Sequence, residues 1–285
     1  MPFDVAQIPK ELIDSVKDRR AVFFVGSGLS VTAGLPTWSG LMDELITKAE
    51  SSGYLGPEKI AEYRRLTTDP TKFLFLAEDL KVELASGFTE YMTERFGRPD
   101  IAPTPVHMAL MGIPHDLLIT INYDRLLENA YTKIHGYPPN SFTYKLSKEA
   151  ANSYWKRSYF ILKAHGDANS DVEGLILSQR DYRRTLYREN GYRSLLQSIF
   201  TSNAIIFLGV SLNDPEFNQL VDYLHDSYHG GGPTHFALLE ESKIENTVSK
   251  RYAEDFKIRT VKYKNTDGSH QEVLEFIQCL AEAVK

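Results

Sequence analysis

Apolar positions along this chain gather in short continuous runs. Val22-Phe23-Phe24-Val25, Leu117-Leu118-Ile119, Phe160-Ile161-Leu162 and Ile205-Ile206-Phe207-Leu208 each stand between polar, turn-rich segments. A strand buried on both faces of a parallel sheet needs such a run, because both sets of alternating side chains meet apolar neighbours. Strands are therefore predicted over residues 21–25, 117–120, 159–164, 204–208 and 235–239, with a sixth over 258–263. Helix-period segments lie between and after them. The last carries Val273, Phe276, Ile277, Leu280 and Val284 on one face, with Ser269 and Glu272 spaced as a capping box. Asp214-Pro215-Glu216 reads as another capped helix start. The alternation predicts an α/β fold, a Rossmann-like, mainly parallel sheet flanked by helices.

One interval breaks this rhythm. Between the first strand-turn-helix unit and the second strand the chain reads as helical throughout, far longer than the ~10 to 12 residues of a minimal crossover. Leu74, Phe75, Ala77, Leu80, Leu84, Phe88, Tyr91, Met92 and Phe96 supply apolar faces there. Residues 51–103 are expected to form a helical insertion covering one side of the sheet and helping to close a pocket at the strand ends. With no repeat or low-complexity linker, residues 1–285 are expected to fold as one domain.

Composition narrows the chemistry. A content of 42% apolar and 12% aromatic residues over 285 positions supports a sizeable core, and a formal charge of -6 argues against direct nucleic-acid binding. The basic run over 180–188 is interrupted by Asp181, Tyr182, Thr185, Leu186 and Tyr187, and reads as a helix with a charged face. Tyr182, Tyr187 and Tyr192 with Arg183, Arg184 and Arg188 would line an oligomer contact or a nucleotide entrance, or remain solvated. A single cysteine, Cys279, excludes an intrachain disulfide and a cysteine-based zinc module. His225 and His229 have a metal-ligand spacing, but a glycine run follows at once and no third ligand is evident, so no metal is expected. The first twenty residues lack a signal-like core, and no apolar stretch approaches the ~20 residues that span a bilayer. A cytoplasmic location with no membrane attachment is the resulting expectation.

Polar and glycine residues cluster where predicted strands end. Gly26-Ser27-Gly28 follows the first strand, with Ser30 close behind, and leads past Gly34-Leu35-Pro36-Thr37 into a helix beginning near Trp38. Glycines there permit close backbone approach to a phosphate, although the third glycine of the dinucleotide fingerprint and the lysine of a P-loop are both missing. Asn122 and Asp124 follow the second strand, and His165 follows the third with Gly166 behind it. In open α/β sheets ligands lie beyond the carboxyl ends of strands. The plainer alternatives are that Asp124 caps a helix over 123–131 and that Asn122 closes a turn. Gly209-Val210-Ser211 after the fourth strand adds a further small, hydroxyl-bearing turn.

These segments together resemble the sirtuin family, and specifically the sirtuin-like domains of bacterial anti-phage defence proteins. The match runs in order across nearly the whole chain, through the glycine-serine-glycine turn, Thr120-Ile121-Asn122-Tyr123-Asp124, Lys163-Ala164-His165-Gly166-Asp167, Leu177-Ser178 with Asp181-Tyr182, and residues 209–217. The resemblance implies that Gly26, Ser27, Gly28 and Ser30, with Pro36, Thr37 and Trp38, hold NAD. It implies that Asn122 contacts the nicotinamide ribose or an attacking water, that Asp124 faces the carboxamide, and that His165 is the catalytic base. Gly209 and Ser211 would line the adenosine side. The chain lacks the four-cysteine zinc module and the Asp-Phe-Arg of sirtuin deacylases, having Thr37-Trp38 instead, which points toward water as acceptor.

The implied function is NAD glycohydrolase activity, giving ADP-ribose and nicotinamide and depleting NAD in antiviral defence. The alternatives are an NAD-dependent protein deacylase and a non-catalytic subunit binding NAD or ADP-ribose. Constitutive NAD loss would be toxic, so control by homo-oligomer assembly or by a separate protein is expected. Family analogy offers a HerA-like ATPase or an Argonaute-type partner.

Overall fold

The computed structural model describes residues 3–211, 221 and 231–285. The expected helix start at Asp214 and the His225/His229 pair lie outside the described residues. Seven strands form one parallel sheet in the order β3-β4-β2-β1-β5-β6-β7. They are β1 (Ala21–Val25), β2 (Leu117–Thr120), β3 (Asn140–Thr143), β4 (Phe160–Lys163), β5 (Ala204–Leu208), β6 (His235–Glu240) and β7 (Ile258–Tyr263). β3 is the element that hydrophobic runs did not predict. Among the described residues it pairs only with β4, at the sheet edge, and its Asn-Ser-Phe-Thr sequence is exposed or half-buried throughout.

Alternation along each strand explains why the runs are continuous. Phe23, Val25, Leu118, Ile161, Ile206 and Leu208 join one core with α1 (Lys10–Lys17), α6 (Pro105–Met111), α7 (Leu126–His135) and the C-terminal helix Gln271–Ala283. Val22, Phe24, Ile119, Phe160, Leu162, Ile205 and Phe207 join a second core on the opposite face, closed by α8 (Ser147–Trp155), α10 (Asn190–Ser202) and the Asn246–Phe256 helix. Successive side chains point to opposite faces, so the central strands β1 and β5 are apolar at every position.

After α2 (Trp38–Ser51), the helix of the first unit, the long helical interval contains α3 (Pro57–Leu66), α4 (Phe73–Leu84) and α5 (Ser86–Phe96). These helices build a third core from Leu41, Met42, Leu45, Ile46, Leu76, Leu80 and Met92. That core contains no strand residue, which corrects the expectation of a layer against one side of the sheet. Its partners outside the helical interval include Leu126, Ala168, Leu175 and Leu177, all from segments beyond the carboxyl ends of β2 and β4. The helices are thus packed over the strand ends where the polar motifs lie.

Two local expectations change. Helix α7 begins at Leu126, not at Tyr123, and Asp124 Oδ1 accepts from the Leu126 amide at 3.0 Å. The capping box expected at Ser269 and Glu272 does not form: the last helix starts at Gln271 after His270, whose φ of 54° is left-handed. Ser269 Oγ instead accepts from the Gln271 amide at 3.3 Å.

Candidate active site

Register brings the motifs to one level. Val25 lies opposite Thr120 and Leu208, and Thr120 opposite Lys163. Ser27, Asn122 and His165 are therefore each two residues past aligned strand ends, along the central trio β1, β2 and β4. This edge adjoins the point where the strand order departs from β1 in both directions, the place where open α/β sheets hold ligands.

The glycines in the first turn have a packing reason of their own. Gly26 N donates to Leu208 O at 2.9 Å and Gly28 N to Gly209 O at 3.0 Å, so the β1 and β5 turns are laced backbone to backbone. A Cβ on Gly26 would sit 2.6 Å from Gly209 O, and one on Gly28 2.8 Å from Gly209 Cα. Gly209 itself has φ +64°. Two amides of the turn are thereby committed to protein, and the chain continues through two 3-10 turns, Ser27–Leu29 and Val31–Ala33, before α2. Thr37 caps α2, accepting from Gly40 N at 3.2 Å, and Trp38 meets Phe73 edge to face at 6.0 Å.

Asn122 is the hub of the second turn. It is 6% exposed. Its Nδ2 donates to Gly26 O at 3.1 Å and to Ser30 Oγ at 3.0 Å, and Ser30 Oγ donates to Asp124 Oδ2 at 2.9 Å. Its backbone amide is held by Thr120 Oγ1 at 3.0 Å, which in turn donates to Val25 O. The carboxamide orientation is thus fixed by donation to a carbonyl. Its Oδ1 is buried without a hydrogen-bond partner among the described residues. A buried acceptor left unmet is costly, so this atom is suited to a donor that arrives with a ligand or water.

His165 faces a different neighbour. The Tyr182 hydroxyl lies 2.8 Å from its Nε2 and 3.1 Å from its Nδ1, with the rings edge to face at 5.2 Å. Burial lowers the imidazole from its ordinary 6.5 to about 3, so the ring is neutral at physiological pH. Tyr182 stands in the first turn of α9 (Gln179–Arg188), which begins with a capping box between Ser178 and Asp181.

Beneath these turns lies a buried ionic cluster. Lys163, 1% exposed, donates to Asp124 O and pairs with Glu128 at 3.3 Å and Asp167 at 3.9 Å. Arg125 closes the group on Asp167 at 2.8 Å. Burial raises the Asp167 carboxyl, but Lys163, Arg125 and the Asn169 amide together outweigh it and hold the group below the usual carboxylate range. The cluster ties the β2 and β4 ends together and fixes the backbone that carries Asn122 and His165.

A family model for the SIR2-like domain matches residues 116–261, just over half of the sequence. The chain belongs to the SIR2-like family. Among curated relatives, this SIR2-like chain is 27% identical to defense-associated sirtuin 2 of Bacillus subtilis over 85% of its own length and 23% of that protein. It is 23% identical to the NAD(+) hydrolase ThsA of Bacillus cereus over 97% of itself and 57% of the relative. An NAD-dependent protein deacetylase of Listeria innocua matches at 24% over 71% of this chain and 79% of the other. The chain therefore spans less than two thirds of the length of the defence sirtuin and the ThsA protein it matches. The solved structure of Sir2Tm bound to a propionylated peptide aligns over 96% of this chain and 97% of that one, with TM-score 0.48 and 14% identity.

Within the SIR2-like chain, Gly26, Ser30, Asn122 and Asp124 form one hydrogen-bonded network, and Gly28 and Gly209 are in contact. Ser27 and Pro36 are half-buried nearby, while Ser211 and Thr37 are exposed. His165 meets Tyr182 instead and shares no hydrogen bond with Asn122 among the described residues. Asp124 has both oxygens engaged by protein, the first on the α7 start and the second on Ser30. That is the capping role weighed for it, with an anchoring role added. Sequence reasoning missed Tyr182 as the partner of His165, and Lys163, Glu128, Arg125 and Asp167 as a support. A lysine ending an apolar strand was the available signal, since buried lysines are rare unless paired.

Proposed function

We propose that this SIR2-like chain is an NAD glycohydrolase of the anti-phage defence branch, cleaving the nicotinamide–ribose bond with water as acceptor. The observation that carries the reading is the buried, unmet Asn122 Oδ1 at the end of β2, level in register with a neutral His165 at the end of β4. The similarity to ThsA proteins named as NAD(+) hydrolases supports the same substrate. The diphosphate would lie along the Gly26 to Ser30 turn, with Pro36, Thr37 and Trp38 bordering it and Gly209 and Ser211 toward the adenosine. Asp124 would act through Ser30 near the carboxamide end.

Nicotinamide departs from a cationic ring as a neutral molecule, taking the electron pair of the broken bond, so it needs no acid. Positive charge grows on the ribose as the bond breaks. Asn122 Oδ1 would accept from a water or ribose hydroxyl and hold it near the anomeric carbon. As water adds, its proton must leave, and His165 would accept it. An imidazole near pKa 3 is a weak base. Its first role would therefore be to orient a hydroxyl by accepting its hydrogen bond; the oxonium formed as water adds is far more acidic than an imidazolium, so even a weak base can take its proton and pass it to solvent.

In calorimetric titrations with NAD, His165→Ala should keep its affinity within a few fold while turnover falls by roughly 10²-fold or more. Undiminished turnover in that variant would remove His165 from the chemistry. The Listeria deacetylase similarity supports a second reading, deacylation of lysine, in which nicotinamide would appear only when an acyl-lysine peptide is added. Control by self-assembly or by a partner such as a HerA-like ATPase or Argonaute-type protein is part of the proposal, because unregulated NAD loss would harm the host.

A further inference from the structure

The first turn of α9 connects the helical interval to the candidate base. Tyr182 contributes the hydroxyl that both nitrogens of His165 meet, at 2.8 and 3.1 Å. A tyrosine hydroxyl donates one hydrogen bond and accepts others, so it can meet either tautomer; where it accepts from one ring N–H, the other nitrogen is left as acceptor. Among the described residues no carboxylate or carbonyl meets that ring, and the Tyr182 hydroxyl is the group that orients it. The neighbours of Tyr182 in sequence are fixed by α4. Asp181 is 5% exposed, closes the capping box with Ser178, and accepts from Lys81 Nζ at 3.0 Å. Arg180 Nε meets Glu78 Oε1 at 3.1 Å. Residues 78 and 81 lie one turn apart on α4, so two consecutive α9 residues are pinned to one face of that helix.

We propose that Tyr182 is a positioning residue for His165, and that the Lys81–Asp181 pair, by fixing the first turn of α9, makes the imidazole's orientation depend on where α4 sits. A chain of direct contacts carries this: α4 to Asp181, Asp181 to the turn bearing Tyr182, and the Tyr182 hydroxyl to the ring. Misplacement of a reacting group by ~1 Å costs on the order of 10²-fold in rate, so even a slight shift of the α9 turn would register in turnover. The consequence for rate rests on the NAD-hydrolase reading, whereas the contact itself does not.

The test uses the full chain labelled with ¹⁵N-histidine, with the His165 signals assigned from His165→Gln. Tyr182→Phe keeps the ring and removes only the hydroxyl; Lys81→Met removes the α4 cation; Arg183→Ala, on the same helix, is the control. Tyr182→Phe is expected to move the His165 imidazole ¹⁵N signals while the other histidines stay in place, and Lys81→Met to move them less. Arg183→Ala should leave them unchanged. With NAD, Tyr182→Phe is expected to lower kcat roughly tenfold with KM within about twofold. His165 signals that coincide in wild type and Tyr182→Phe would overturn the proposal, as would a Lys81→Met variant with unaltered signals. Displaced signals in a protein that leaves NAD intact would retain the positioning role and reject the hydrolase reading instead.

Discussion

Individual side chains at the strand ends divide into those that hold the backbone and those left facing a ligand. Asn122 belongs to both groups, with Nδ2 anchored on Gly26 and Ser30 and Oδ1 unmet. His165, lowered to about 3, is protonated only in strong acid, so kcat/KM for NAD should not fall through this group between pH 7 and 5. An acid limb centred near the ordinary imidazole value of ~6.5 in a pH–rate profile would contradict that environment. Lys163→Met would leave Glu128 and Asp167 buried beside an apolar chain and is expected to cost about 3–5 kcal/mol, read from the urea midpoint. A Cβ at Gly209 would stand 2.7 Å from Leu29 N on a backbone with φ +64°. Gly209→Ala should therefore destabilise by about 2–4 kcal/mol whether or not nucleotide is present. That result would separate the packing duty of these glycines from any phosphate contact. The candidate residues were legible because polar groups stood out against apolar runs. Tyr182 and the Lys163 cluster were not, since what defines them is contact between segments distant in sequence.

At the scale of elements, burial on both faces made the central strands readable and the edge strand obscure. β1, β2, β5 and β7 run over the predicted residues because each contributes apolar side chains to both sheet cores. β3 has one neighbour and half-buried side chains, so nothing in Asn140-Ser141-Phe142-Thr143 distinguished it from a loop. The helical interval was visible from its apolar faces, but its place was not: periodicity says that a face is buried without saying against what. Its core packs within itself and onto Leu126, Ala168, Leu175 and Leu177, over the strand ends. Leu45→Ala, at a fully buried position on α2, should cost about 2–5 kcal/mol. Because that core sits above the motifs and not in the sheet, the loss should also lower NAD affinity, measurable by calorimetry. Unchanged affinity at equal destabilisation would detach the helical interval from the site.

For the whole molecule, four histidines titrate together against folding. Burial lowers His107, His115 and His235 to about 4 and His165 to about 3. The unfolded chain binds protons at these groups from ~6.5 downward while the folded chain does not. Their contribution to stability is complete above about pH 6.5 and is lost as pH falls toward the folded values. Tm should accordingly drop steeply from pH 7 to 5, with a shallower slope in His115→Gln; a Tm independent of pH would refute these environments. The same molecule presents Asn122 and His165 at one level of a single parallel sheet, and the account stands on their acting on one NAD. The decisive measurement is chromatography of NAD incubated with the purified chain, with Asn122→Ala and with His165→Ala, in the absence of any peptide. NAD hydrolysis at this site would give equimolar nicotinamide and ADP-ribose from the wild type and roughly 10²-fold less, or lower still, from the two variants. Intact NAD with the wild type, or nicotinamide appearing only when an acyl-lysine peptide is supplied, would contradict it.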